Sequence, residues 1–157
     1  MLSALVMVSL LAGKLGDDAG FRGLRFGPDA VLSSPPLEGC TPGTADAVRW
    51  ACPATIGDQS VTVLYMARSG FFTSVLINGA GFSSCDALKK VFIAAWGKPS
   101  QPNEYIQKFY WHDGAIWALF EYERVPDTCT LMLTNKEVQE QAEAVAREAA
   151  SHGVQDL

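Results

Sequence analysis

Residues 59–77 read QSVTVLYMARSGFFTSVLI. Gln59–Ala67 is rich in β-branched and apolar residues, Arg68-Ser69-Gly70 interrupts it, and Phe71–Ile77 resumes the same composition. Two such runs around a short segment with Gly predict an antiparallel hairpin. Alternation along the second strand sends Phe71 and Phe72 to opposite faces. Upstream, Ala47–Cys52 reads as a third, short strand. Before it, residues 28–46 carry Pro28, Pro35, Pro36 and Pro42, which break any regular element beyond a turn of helix at Asp29–Leu32. A loop of that length inside a compact domain needs a tether, and Cys40 is the candidate. A first strand is expected over Phe21–Phe26, ending at Gly27-Pro28.

Downstream, Asn78–Gly81 ends the hairpin and a helix follows. Ser83 is the expected cap, with Asp86 in the first turn. Cys85, Leu88, Phe92 and Ala95 share one face, widened by Val91 and Trp96, and Gly97 and Pro99 stop the helix. Tyr105–Trp111, His112-Asp113-Gly114 and Ala115–Glu123 form a second hairpin, because Asp-Gly between apolar runs is a strong turn signal. Its second strand puts Ile116, Ala118, Phe120 and Tyr122 on one face and Trp117, Leu119, Glu121 and Glu123 on the other. Arg124–Asp127 turns the chain into Cys129–Leu133. Thr134 and Glu137 form a capping box for a last helix over about 135–151, whose stripe of Val138, Ala142, Val145 and Ala149 suits the edge of the core. The order β-loop-βββ-α-βββ-α predicts an α+β fold: an antiparallel sheet of about five to seven strands with two helices packed on it. Each half ends strands-then-helix, which hints at a duplication without any self-similarity in the sequence.

The 157 residues are 48% apolar and 18% charged, with net charge −5. The length fits one domain, and the acidic balance argues against nucleic acid. Mean hydropathy is nevertheless positive, at +0.11. The excess sits in residues 1–13, MLSALVMVSLLAG, with ten apolar residues and no charge. That run is too short for a stable transmembrane span and matches the apolar core of a secretory signal peptide. Leu11-Ala12-Gly13-Lys14 resembles a lipoprotein signal with Lys14 in place of the lipidated cysteine. Residues 14–20 read as a linker, and 21–157 as a single domain.

Cys40, Cys52, Cys85 and Cys129 include no Cys-x-x-Cys pair, and His112 and His152 lie far apart, so no metal site is expected. An even number of scattered cysteines behind a leader reads as two disulfides in an oxidising compartment. Of the three connectivities, Cys40–Cys52 would clip the proline-rich loop. Cys85–Cys129 would tie the buried stripe of the helix to a strand. Both point to an exported, periplasmic setting.

Gly-x-Ser-x-Gly, Walker and dinucleotide fingerprints are absent, and Gly79-Ala80-Gly81 is a strand-to-helix turn without a phosphate-binding Lys. Asp17-Asp18 and Glu121/Glu123 are the nearest approach to paired carboxylates. Surface placement is the ordinary reading for the Glu pair and for both histidines. No catalytic residue and no cofactor is expected. The aromatics are denser: Tyr105, Phe109, Tyr110, Trp111, Trp117, Phe120 and Tyr122 fall within 18 residues. Alternation divides them between two faces, one for the core and one to be covered by the loop, a partner or a ligand.

FRGLRFG at 21–27, the helix end Ala95-Trp96-Gly97-Lys98-Pro99, Trp111 and the strand Ile116–Tyr122 resemble small exported bacterial domains of unknown function. The likeness spans residues 21–133 and implies an envelope setting and no catalytic residues. The small α+β build with disulfides is also similar to periplasmic enzyme inhibitors. The Ser-Gly-x-x-Tyr loop of C-type lysozyme inhibitors has Thr73 at the Tyr position here, so that activity does not carry over. The expectation is a non-catalytic envelope domain that binds a protein through an aromatic hairpin face around Trp111 and Trp117 or around Phe71 and Phe72. A small apolar ligand between sheet and loop is the alternative, and a hydrolase using Glu121 or Glu123 ranks last.

Overall fold

A computed structural model describes Leu15 and residues 20–155. The leader at 1–13 and Asp17-Asp18 lie outside the described residues, as does the linker at 14–20 apart from Leu15 and Gly20. In chain order the elements are β1 (Gly20–Phe21), β2 (Leu24–Arg25), β3 (Gly27–Pro28), a 3₁₀ turn at Asp29–Leu32, β4 (Thr41–Pro42), β5 (Val48–Ile56), β6 (Gln59–Arg68), β7 (Phe71–Ala80), α1 (Phe82–Trp96), β8 (Lys108–Asp113), β9 (Ile116–Glu123), β10 (Thr128–Asn135) and α2 (Lys136–Gln155). The fold is α+β. One antiparallel sheet runs β4-β5-β6-β7-β10-β9-β8, with β3 pairing the start of β7, and β1-β2 form a separate two-stranded sheet.

The two halves meet at β7 and β10. Thr128–Thr134 pairs with Ser74–Ala80 residue by residue, centred on Ile77 opposite Leu131. Each half is therefore a three-stranded meander followed by a helix, with the third strands adjacent. α1 covers the face bearing Gly79 and Cys129. A Cβ at Gly79 would lie 2.8 Å from Leu88 Cδ1 and 3.0 Å from Cys129 Sγ, so the absent side chain is what lets the helix and the Cys85–Cys129 disulfide settle there. Tyr65, Phe72, Val75, Ile77, Leu88, Phe92, Phe120 and Leu131 build the core on this side. Phe92 stacks on Trp96, with 5.2 Å between ring centroids.

Both disulfides pair as the sequence reading favoured: Cys40–Cys52 and Cys85–Cys129, at sequence separations of 12 and 44. Loops of that size give about 3 and about 4 kcal/mol in the chain-entropy account. Cys40 does tether the proline-rich segment. Leu32 from the same segment is fully buried, and its carbonyl accepts a hydrogen bond from Trp50 Nε1 at 2.8 Å.

Several boundaries differ from the expectation, each for a local reason. Phe21–Phe26 is not one strand: Arg22 and Gly23 have φ of 48° and 81°, a turn that folds β1 back on β2. β3 and β4 raise the main sheet to eight strands; at two residues each they are too short to show alternation. β5 runs on through Pro53 to Ile56. It tolerates a mid-strand proline because its outer side meets only β4, at Trp50 and Ala51. β8 starts at Lys108, so Tyr105–Gln107 are not strand. α1 begins one residue before Ser83, with Gly81 as N-cap and no side-chain cap. Asp86 instead pairs with Lys89 and Lys90. Thr134 does not cap α2. Its hydroxyl donates to Thr73 O at 3.1 Å, while Asn135 Oδ1 accepts the Val138 N–H. Of α2, Val138 and Ala142 are buried and Val145 is exposed, in keeping with a helix at the core's margin.

Gly79→Ala should overpack this contact and cost about 1–3 kcal/mol, read as a lower urea midpoint with both disulfides intact; an unchanged midpoint would mean that Leu88 and the disulfide can move aside.

Candidate functional site

Opposite α1, the register aligns one residue from each of six strands. Ala51, Leu64, Leu76, Met132, Leu119 and Tyr110 stand side by side across the sheet. Antiparallel sheets that face water usually carry polar residues outward; this row is apolar. The parallel row beside it reads Met66, Ser74, Thr134, Trp117 and His112. Ser74 and Thr134 are buried, whereas Met132 and Trp117 are each 40% exposed. The accessible part of this face therefore lies over β8, β9 and β10, with Leu119 and Tyr110 half-buried between the two exposed side chains.

Trp117 is held in place by its neighbours. His112, directly across the strand pair, stacks on its ring at 5.0 Å between centroids and 23° between planes. Lys136 Nζ lies 5.7 Å from the same ring's centroid, a cation–π contact supplied by the first turn of α2. The result is a partly exposed indole with a cation and an imidazole beside it. At the lower margin of the face, Glu121 pairs with Lys108 across β8 and β9 at 3.4 Å, and Glu123 is exposed.

Neither of the two candidate aromatic pairs, Trp111 with Trp117 or Phe71 with Phe72, keeps both of its rings exposed. Trp111 is a core residue, 5% exposed. Its ring meets Trp96 edge-on at 5.6 Å and its Nε1 donates to Gly97 O at 2.9 Å. Phe72 is fully buried, 4.8 Å from Phe26 and 6.1 Å from Tyr65 by ring centroids. A one-residue slip in the β6–β7 register puts a bulge at Thr73. Thr73 and Ser74 then face the same way, Oγ1 3.5 Å from Oγ, and Phe72 swings to the core side. Phe71 is half-buried against the core and opposite Pro28 of β3. Trp117 alone of the four stands on the exposed face. Met132, Leu119 and Tyr110 join it; the periodicity of β10 carried the signal for Met132, since Leu131 and Leu133 flank it.

A ligand-sized space is not found beside α1. The dent lined by Phe82, Cys85, Asp86, Lys89, Gln107, Phe120 and Tyr122 holds about 10 Å³, room for a single water at most. Tyr122 donates its hydroxyl to Asp127, which raises its pKa above the ordinary phenol value, and the Phe82 ring meets it edge-on at 5.8 Å. Among the described residues, no group of three or more His, Cys, Asp and Glu is placed to hold a metal ion, and no helix is long and apolar enough to cross a membrane.

Comparison with protein-family models, with curated proteins and with solved structures finds no match.

The two tryptophans should separate cleanly. Trp117→Ala is expected to cost under about 1 kcal/mol and Trp111→Ala about 3–5 kcal/mol, measured by denaturant unfolding; equal costs would place Trp117 in the core.

Proposed function

We propose that this chain is a non-catalytic, exported domain of the bacterial cell envelope that binds a protein partner through the outer face of β8, β9 and β10. The observation that carries this reading is the pair of exposed apolar side chains, Trp117 and Met132, on a sheet face whose central row is apolar throughout. An indole already fixed by His112 and Lys136 loses little freedom on binding. It also offers a large apolar area with a polar edge, the profile of an interface anchor. Lys136 and His112 at one margin and Lys108–Glu121 at the other supply a polar rim around that centre.

The location rests on two independent features. Two disulfides belong to an oxidising compartment, and residues 1–13 have the composition of a signal-peptide core. Together with the resemblance to small exported bacterial domains, they favour the periplasm. The acidic net charge sets nucleic acid aside as a partner.

Two experiments test this. Trp117→Ala and Met132→Glu, each folded by circular dichroism, should weaken capture of an envelope protein from a native membrane-and-periplasm fraction by about tenfold or more; undiminished capture by both variants would reject the face. Alkylation of protein from its native host without reductant should leave no cysteine labelled, and four labelled cysteines would reject export.

A further inference from the structure

The open face over β8, β9 and β10 has an apolar middle and two unlike ends. Met132, Leu119 and Tyr110 stand side by side as its middle row. Two residues further toward the start of α2, the row is Thr134, Trp117 and His112. Two residues the other way, it is Thr130, Glu121 and Lys108. The two flanking rows are therefore equidistant from Leu119.

Charge is divided between these ends. Lys136 is the charged side chain set against Trp117. Glu137, the next residue of α2, is turned about 100° round the helix. Asp113 falls on the core-side row, opposite buried Ile116. The far end carries Glu121 and Glu123 on one strand face, with Lys108 paired to Glu121 at 3.4 Å. Glu123 is exposed and joins no ion pair among the described residues. Trp50 and Trp111 give their indole N–H groups to Leu32 O and Gly97 O. No acceptor for the Trp117 indole N–H is found among the described residues, and that ring is 40% exposed.

A face of this kind is complementary to itself. Half a turn about an axis crossing the strands over Leu119 sets each middle-row residue against its own counterpart. The same turn brings Trp117 and Lys136 of one copy to Glu121 and Glu123 of the other, twice over. The carboxylates then meet a cation and an unused indole donor. A two-fold axis along the strands would instead set Glu121 against Glu121, so charge selects the first arrangement. We propose that the occupant of the β8–β10 face is a second copy of this chain, docked face to face about a two-fold axis that crosses the strands over Leu119. This rests on the reading of that face as an interaction surface and names its partner. Three strands span about 14 Å and five residues about 17 Å. Each copy thus buries a few hundred Å², short of the roughly 800 Å² per partner of a standard stable interface. The dimer is accordingly weak and reversible.

Sedimentation equilibrium of the disulfide-bonded chain should show monomer–dimer exchange with Kd on the order of 100 μM. Met132→Glu, which sets like charges against each other across the axis, should weaken association by about tenfold or more. Lys136→Glu and Glu123→Lys lie at exposed positions, so both should fold as the parent does by circular dichroism. Each should self-associate more weakly than the parent. An equimolar mixture of the two should recover the parent's association, because both cross-copy pairs are again of opposite sign. The proposal is overturned by a chain that stays monomeric up to about 1 mM, by a dimer indifferent to Met132→Glu, or by no recovery on mixing. A monomeric chain whose Trp117→Ala variant still loses capture of a different envelope protein would also overturn it, and would leave the face assigned to that protein.

Discussion

The pairing of β7 with β10 is the constraint on which the rest of the structure depends. Two meanders, each with its own helix, become one sheet only through the seven residue pairs centred on Ile77 and Leu131. The Cys85–Cys129 disulfide closes over that seam, and Gly79, the cross-strand partner of Cys129, leaves the space for it. The same seam sets Leu76 beside Met132 on the other face, so it also determines which apolar side chains the domain presents outward. Core and candidate surface are thus two sides of a single register.

What the sequence made legible followed from periodicity and turn chemistry. The 59–77 hairpin, the Asp113-Gly114 turn, both helices and the disulfide pairing could all be read because each is written in local pattern. The failures have equally local causes. A bulge at Thr73 reverses the alternation that would have sent Phe72 outward, and nothing in Phe71-Phe72-Thr73-Ser74 announces it. Trp111 and Trp117 lie close in the sequence, but the tight turn between them fixes Trp111 opposite Ala118 and Trp117 opposite His112, on different faces. The hydroxyls of Ser83 and Thr134 stand near the helix starts, but Gly81 and Asn135 occupy the capping places. The buried Tyr65 hydroxyl, without a hydrogen-bond partner among the described residues, has no sequence signal at all, since it depends on which groups from β1, β5 and β7 surround the ring.

The domain separates its tasks by face. The side under α1 and the proline-rich segment is filled with rings and closed by both disulfides, as suits a domain folded in an oxidising environment. The other side buries Ser74 and Thr134 and is open over β9 and β10, where Trp117 and Met132 are each 40% exposed. Met132 sits between Leu131 and Leu133, both buried, and can change without disturbing either.

The lateral borders of the sheet carry a further consequence. On one side β5 has Pro53 in mid-strand, β4 laid along Trp50 and Ala51, and Arg22 occupying the Thr55 carbonyl. On the other, Ser100 takes both main-chain groups of Tyr110. Among the described residues, neither border offers a long run of open main-chain groups for another strand to zip onto. Both borders thereby resist strand-to-strand addition, the route by which sheets grow into fibres.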